Sequence, residues 1–144
     1  MKTKLAVSII IALILSYMSL PANAADKTPD EMVREAKSSI KEISVGEVKK
    51  MIDAGEAIVI LDVRDRDEFE TGHIPGAINI SRGTLEFKAN PLIPVKSARV
   101  MVYCGIDLRS PLATKTLNDL GYRNAVNMIG GLKSWKEAGY PLEI

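Results

Sequence analysis

The sequence AIVILDV at residues 57–63 decides the fold. It is an almost continuous apolar run, as expected for a strand buried on both faces of a parallel sheet. A second run of this kind, RVMVY, occupies residues 99–103. Shorter strands are predicted at residues 43–45, 77–80 and 125–128.

Helical patterns separate these strands. Thr28-Pro29 begins the first helix, with a capping residue followed by a proline at the first helical position. Further helices follow from apolar spacing and terminal glycines. The predicted helices span residues 28–41, 46–54, 64–71, 84–89, 110–120 and 130–138. Strands that alternate with helices in this way predict an α/β domain with a mostly parallel sheet.

The N-terminus is typical of an export signal. Lys2 and Lys4 precede an apolar run at residues 5–20, and Pro21 is followed by the cleavage-site pattern Ala22-Asn23-Ala24. A run of 16 residues is short for a membrane span, which needs about 20, although an uncleaved anchor is the alternative. We therefore predict a signal peptide at residues 1–24 and export to the periplasm or the extracellular side, with no stable membrane anchor after cleavage.

Composition limits the function classes. The chain has 144 residues and a net charge of +1, and no basic run of the kind that nucleic-acid binding requires. It has one cysteine and one histidine, so neither an intramolecular disulfide nor a metal cluster is predicted. After the signal peptide we expect a linker and N-terminal helix at residues 25–42 and one domain at residues 43–144.

The lone cysteine, Cys104, follows the RVMVY strand directly. Open parallel sheets bind ligands beyond the carboxyl ends of their strands, where a loop before a helix can turn several N–H groups inward. Such a loop and the positive end of a helix favour a thiolate over a thiol. The candidate binding residues follow Cys104 in order: Gly105, Ile106, Asp107, Leu108, Arg109 and Ser110. Alternatively, Cys104 is a buried and inert small hydrophobe.

Four motifs resemble the rhodanese homology domain. They are LDVR at residues 61–64, EFETGHIPGAINI at 68–80, VYC at 102–104 with Arg109-Ser110 beyond it, and GGLKSW at 130–135. They occur in the family order and spacing, from about residue 43 to residue 141. The resemblance implies a rhodanese-like three-layer α/β sandwich, in which helices flank a five-stranded sheet. It also implies that Cys104 is a nucleophile that accepts sulfur.

The implied activity is sulfur transfer in two steps. Cys104 would take the outer sulfur of a small anionic donor such as thiosulfate or polysulfide, and a thiophilic acceptor, cyanide or a thiol, would remove it. No cofactor and no metal are expected. Two alternatives stay open at this point. One is a sulfur carrier or binding module that hands its persulfide to a protein partner and turns over small donors poorly, and the other is a rhodanese-like domain without chemistry.

The loop after Cys104 has two distinctive features. Four residues separate Cys104 from Arg109, whereas related phosphatase loops have five to surround a phosphoryl group, so the shorter loop favours a single sulfur atom. Asp107 stands where many family members have glycine, which accepts positive φ more readily. Its carboxylate would disfavour an anionic donor, unless it points to solvent or pairs with Arg109.

Other polar residues in the motifs are expected to be structural. His73 lies in the turn before a predicted strand, and a base must reach the proton that it removes. Asp62 and Arg64 are expected to fix the neighbouring turn by hydrogen bonds. Trp135 is expected to pack in the core or at its rim.

Overall fold

The computed structural model describes residues 26–144, so the predicted signal peptide lies outside the described residues. Five strands form one parallel sheet in the order β1-β5-β4-β2-β3. The strands are β1 (Lys41–Ile43), β2 (Val59–Asp62), β3 (Ile78–Asn79), β4 (Val100–Tyr103) and β5 (Ala125–Met128). The predicted α/β class and the five-stranded parallel sheet are confirmed. The two apolar runs, β2 and β4, lie side by side near the centre of the sheet.

Within residues 26–144, six α-helices and a 3₁₀ turn at Arg82–Thr84 surround the sheet. The helices are α1 (Pro29–Ser39), α2 (Val45–Asp53), α3 (Arg66–Glu70), α4 (Leu85–Leu92), α5 (Arg109–Asp119) and α6 (Gly131–Glu137). Thr28 begins α1 with a capping box: its side chain accepts from the Glu31 N–H, and the Glu31 carboxylate accepts from the Thr28 N–H.

The first strand lies two residues earlier than the sequence predicted. The predicted strand was at residues 43–45, but Ser44 is the N-cap of α2 and forms a second capping box with Glu47. Strand pairing therefore ends at Ile43. Helix α1 correspondingly stops at Ser39, because Ile40 is already extended.

Two apolar clusters pack on the two faces of the sheet. One cluster joins strand residues to α4 and α5, with Leu85, Ala89, Ala113 and Leu117 fully or almost fully buried. The other joins strand residues to α2 and α6 and includes Trp135, which is completely buried. Helix α1 lies against α5. The three predicted layers are confirmed.

The loops that follow β2, β4 and β5 leave the same edge of the sheet, because these three strands are parallel neighbours. Cys104 follows β4, and Gly130 and Gly131 follow β5. The topology therefore brings the cysteine loop and the two glycines together. Within residues 26–144 no helix is both long enough and apolar enough to cross a membrane.

Candidate active site

Cys104 lies at the carboxyl end of β4, at the base of a loop that we call the cysteine loop, residues 104–109. Its exposed fraction is 1%, and on one side it packs with the apolar cluster beneath α4 and α5. Ile106 and Leu108 by contrast are 61% and 47% exposed. The thiol is therefore recessed below a loop whose apolar side chains face outward.

The backbone of the cysteine loop has donors without partners. Among residues 26–144, no acceptor takes a hydrogen bond from the N–H groups of Gly105, Ile106, Asp107 or Leu108. The loop leads directly into α5, whose N-terminus carries a partial positive charge. Consecutive amides without partners at a helix N-terminus can stabilise a negative charge.

Helix α6 holds the carbonyl groups of the same loop. The N–H of Leu132 donates to the Cys104 carbonyl at 2.7 Å, and the N–H of Lys133 donates to the Gly105 carbonyl at 3.0 Å. A carbonyl fixed in this direction turns the following amide away from α6. The first turn of α6 therefore sets the orientation of the amides after Cys104.

Gly131 makes this approach possible. A Cβ atom at this position would lie 2.5 Å from the Cys104 carbonyl oxygen and 3.0 Å from that of Gly105. Its φ of +61° also favours glycine. The GG motif at residues 130–131 gives no local signal of this close contact between two backbones, which the sequence did not predict.

Arg109 forms an ion pair with Glu68 of α3. Its guanidinium donates to both Glu68 carboxylate oxygens, at 2.6 and 2.8 Å, and lies 3.7 Å from Asp65. These hydrogen bonds lower the pKa of Glu68 to about 2, against the opposite effect of its burial. Arg109 thus lies at the end of the cysteine loop, and Glu68 of α3 neutralises much of its charge. Glu68 was not predicted from the sequence as a partner of Arg109, from which it is 41 residues away.

Asp107 is the one non-glycine residue with positive φ in the described part of the chain, at +67°. Its carboxylate neither points to solvent nor pairs with Arg109, the two alternatives to a repulsive effect on an anionic donor. It lies 2.5 Å from the Lys37 ammonium and accepts a hydrogen bond of 2.8 Å from the Asn127 amide. The loop aspartate is therefore tied to α1 and β5.

Ser110 is completely buried in the first turn of α5. Its hydroxyl has no hydrogen-bond partner among the residues that the structure describes, while its carbonyl accepts from the Thr114 hydroxyl. A buried hydroxyl without a partner is uncommon in proteins. The Ser110 hydroxyl is therefore free to form a hydrogen bond with a group bound at the loop.

Asp62 and Arg64 form a buried ion pair. The Arg64 guanidinium donates to both carboxylate oxygens of Asp62, at 2.7 to 3.1 Å, and to the Gly72 carbonyl at 2.9 Å. The Asp62 carboxylate also accepts from the Arg64 N–H. The pair therefore holds the turn that begins at Gly72, in agreement with its predicted structural role.

His73 and Trp135 also agree with their predicted structural roles. His73 stacks on the Phe69 ring, 3.7 Å between centroids, and its Nδ1 lies 3.1 Å from the Phe69 carbonyl oxygen. Its backbone pairs with that of Glu143. The Trp135 indole donates to the Pro141 carbonyl at 2.8 Å. Both residues thus fix the C-terminal segment.

A cleft of about 370 Å³ opens beside Gly105. Its lining joins α3, the cysteine loop and α6, and consists of Arg64, Glu68, Gly105, Leu132, Lys133, Lys136 and Glu137. The two lysines were not identified from the sequence, because nothing in their spacing relates them to Cys104. Residues 26–144 contain no group of three His, Cys, Asp or Glu side chains placed to hold a metal ion.

Comparison with known proteins gives a consistent result. The family model described as Rhodanese-like domain matches residues 44–138. The "Putative sulfur carrier protein YrkF" of Bacillus subtilis (strain 168) is 36% identical over 101 residues, which are 70% of this chain and 54% of YrkF. The chain thus spans about half the length of that relative.

Two further matches cover their relatives almost completely. The thiosulfate sulfurtransferase GlpE of Shewanella oneidensis is 31% identical over 101 residues, 70% of this chain and 97% of GlpE. A solved structure from Rhodopseudomonas palustris, described as a protein of unknown function and possible tyrosine phosphatase, has a TM-score of 0.76 and 33% identity. The match covers 87% of this chain and all of that one.

Proposed function

Since this chain belongs to the rhodanese-like family, we propose that it transfers sulfane sulfur through a persulfide on Cys104. The donor class is thiosulfate or polysulfide, and the acceptor is cyanide or a thiol. Homologues that are named thiosulfate sulfurtransferase support a transferase at the level of the family. The choice of donor and acceptor is part of the proposal.

The proposed reaction has two balanced steps. In the first, the Cys104 thiolate attacks the outer sulfur of thiosulfate, a new S–S bond forms, and sulfite leaves with the electrons of the broken S–S bond. In the second, the acceptor attacks the terminal sulfur of the persulfide and the Cys104 thiolate is regenerated. With cyanide as the acceptor, the product is thiocyanate. This is nucleophilic covalent catalysis, for which ping-pong kinetics are expected.

The observation that carries the proposal is the set of amides without partners after Cys104. The terminal sulfur of a persulfide lies about 2.05 Å beyond the cysteine sulfur. A thiol that is 1% exposed would therefore place the transferred sulfur close to the level of the loop. Preorganised N–H donors there would stabilise its negative charge without reorganisation.

Loop length argues against a phosphatase. Four residues separate Cys104 from Arg109, and a phosphoryl group needs donors around all its equatorial oxygens. The similarity to a structure described as a possible tyrosine phosphatase supports a shared fold. A fold does not by itself determine chemistry.

A sulfur carrier that serves a protein partner is the second candidate. Both terminal nitrogens of the Arg109 guanidinium are bound to Glu68. This ion pair reduces the positive charge available to a small anionic donor. A relative whose name includes sulfur carrier supports this candidate. The third possibility raised by the sequence, an inert domain, is compatible with the burial of Cys104.

Export belongs to the same proposal. The N-terminal pattern of residues 1–24 predicts a protein that works in the periplasm or outside the cell. Fractionation of cells that express the full chain tests this prediction. We expect a processed form beginning at Ala25 in the exported fraction, and an unprocessed form retained in the cytoplasm would contradict it.

Intact-mass measurement after incubation with sulfur donors separates the candidates. A gain of about 32 Da from thiosulfate, lost on addition of cyanide, supports the transferase. A gain from polysulfide or a persulfidated protein alone supports the carrier. No gain from any donor in wild-type protein refutes persulfide chemistry, and a gain that persists in Cys104→Ser refutes the assignment to Cys104.

A further inference from the structure

The N-terminal helix α1 lies outside the region that matches the family, residues 44–138. Its last turn nevertheless reaches the cysteine loop through Lys37, which is 70 residues from its partner Asp107 in the sequence. We propose that Lys37 is a positioning residue of the site: it holds Asp107 in the loop and cancels its charge, so that the loop accepts anionic sulfur donors.

The backbone of Asp107 gives the first reason. A φ of +67° is a conformation that glycine adopts at no steric cost, whereas a residue with a side chain is disfavoured there. The aspartate therefore brings a carboxylate into the loop at a position where glycine would serve the backbone better. Such a carboxylate needs a partner if the loop is to bind an anion.

The surroundings of the carboxylate give the second reason. The side chain of Asp107 is only 10% exposed, and it lies 2.5 Å from the Lys37 ammonium. Burial lowers the pKa of Lys37, but the hydrogen bond and the charges of Asp107 and Glu42 outweigh it, so the pKa is raised. Lys37 is thus held in its charged form beside the loop.

Lys37 lies between two carboxylates, those of Asp107 and Glu42. Glu42 lies 3.4 Å from the Lys37 ammonium. The side-chain amide of Asn127 donates one hydrogen to Glu42 and the other to Asp107, both at 2.8 Å. Without Lys37, two carboxylates would share a single neutral amide. The Arg109 guanidinium cannot replace the lysine where it stands, because both its terminal nitrogens are bound to Glu68.

The consequence is electrostatic selectivity at Cys104. An uncompensated unit charge within about 10 Å, at an effective dielectric constant of about 20, changes a rate or an equilibrium roughly tenfold. Removing Lys37 should therefore slow the approach of anions to Cys104 more than the approach of neutral molecules. Removing Asp107 as well should abolish this difference.

Alkylation of Cys104 tests the proposal. The rate with anionic iodoacetate, divided by the rate with neutral iodoacetamide, reports the local potential; in both reactions the thiolate forms an S–C bond and iodide leaves. We expect Lys37→Met to lower the ratio roughly tenfold. Asp107→Gly in the Lys37→Met background should restore it, and Lys37→Arg should retain it.

Two further variants complete the design. Lys27→Met removes a lysine from the start of the same helix, where its partner Glu35 is exposed, and should leave the ratio within about twofold of wild type. Asp107→Asn keeps the size of the side chain and tolerates positive φ. It should raise the ratio, which provides a test even if Lys37→Met does not fold.

The proposal is overturned if Lys37→Met has the same ratio as Lys27→Met, if Asp107→Gly does not reverse its effect, or if Asp107→Asn leaves the ratio unchanged. Its catalytic meaning rests on the proposed sulfur transfer. The alkylation ratio, however, does not depend on turnover. A protein that shows the predicted ratios but gains no sulfur from any donor would refute the proposed function and keep Lys37 as the group that sets the charge at the loop.

Discussion

Replacing Gly131 by alanine should detach helix α6 from the cysteine loop. The new Cβ would lie 2.5 Å from the Cys104 carbonyl oxygen and 3.1 Å from its carbonyl carbon, and backbone atoms cannot rotate away as a side chain can. Two hydrogen bonds would be lost, from Leu132 at 2.7 Å and from Lys133 at 3.0 Å. At about 1 kcal/mol for each bond and about 1 kcal/mol for the left-handed backbone, Gly131→Ala should lose about 3 kcal/mol of stability.

Gly55 offers a matched control, because its φ is +65° and a Cβ there would meet nothing within 4 Å. Gly55→Ala should therefore lose only the backbone contribution, about 1 kcal/mol. Urea unfolding of both variants measures the difference, and sulfur loading of the folded protein measures the effect on the loop. Loading should fall strongly in Gly131→Ala and stay unchanged in Gly55→Ala. Equal losses of stability, or normal loading in Gly131→Ala, would refute the view that α6 orients the loop.

Three further predictions concern the buried ion pair, Glu68 and Arg109. Asp62→Ala leaves the Arg64 charge buried and should lower the free energy of unfolding by about 3 kcal/mol, measured by urea titration. Glu70→Gln, which breaks the exposed pair with Arg66, should lower it by less than about 0.5 kcal/mol. Similar losses in the two variants would contradict the view that burial makes the first pair important. Glu68→Gln should lower the free energy of unfolding by about 1 kcal/mol at pH 7. The loss is small because the Glu68 side chain is 38% exposed and water screens its charge. Folding lowers the pKa of Glu68 from 4.5 to about 2, so the stability that this carboxylate contributes is complete above about pH 4.5 and is lost as the pH falls through about 2. A stability difference between wild type and Glu68→Gln that does not depend on pH would contradict the ion pair of Glu68 with Arg109. Arg109→Ala should lower kcat/KM for thiosulfate more than kcat/KM for a neutral donor. An equal loss of kcat/KM for both donors would show that Arg109 only supports the loop.

Local signals were enough to predict most of the fold. The apolar runs at residues 57–63 and 99–103 predicted strands β2 and β4, and Thr28-Pro29 predicted the start of α1, because these signals act within a few residues. The misplaced first strand also had a local signal. The pattern Ser44-x-x-Glu47 is a capping box that begins a helix, and it excludes a strand through residue 45.

The site was less predictable, because its contacts join distant parts of the chain. The sequence placed Cys104 at a strand end, since that depends only on its neighbours. The partners of Asp107 and Arg109 are 70 and 41 residues away in the sequence, and residue spacing gives no information about such pairs. The close approach of Gly131 to the cysteine loop is likewise a property of the tertiary fold.

We propose that the amides of the cysteine loop that have no partner among residues 26–144 hold the transferred sulfur. Amide proton and nitrogen chemical shifts of ¹⁵N-labelled protein, before and after sulfur loading, test it most directly. New hydrogen bonds to the terminal sulfur should shift the amide resonances of residues 105–108 and leave those of a distant helix such as α2 in place; cyanide should reverse the change. Sulfur loading on Cys104 with no shift at these amides would contradict the claim.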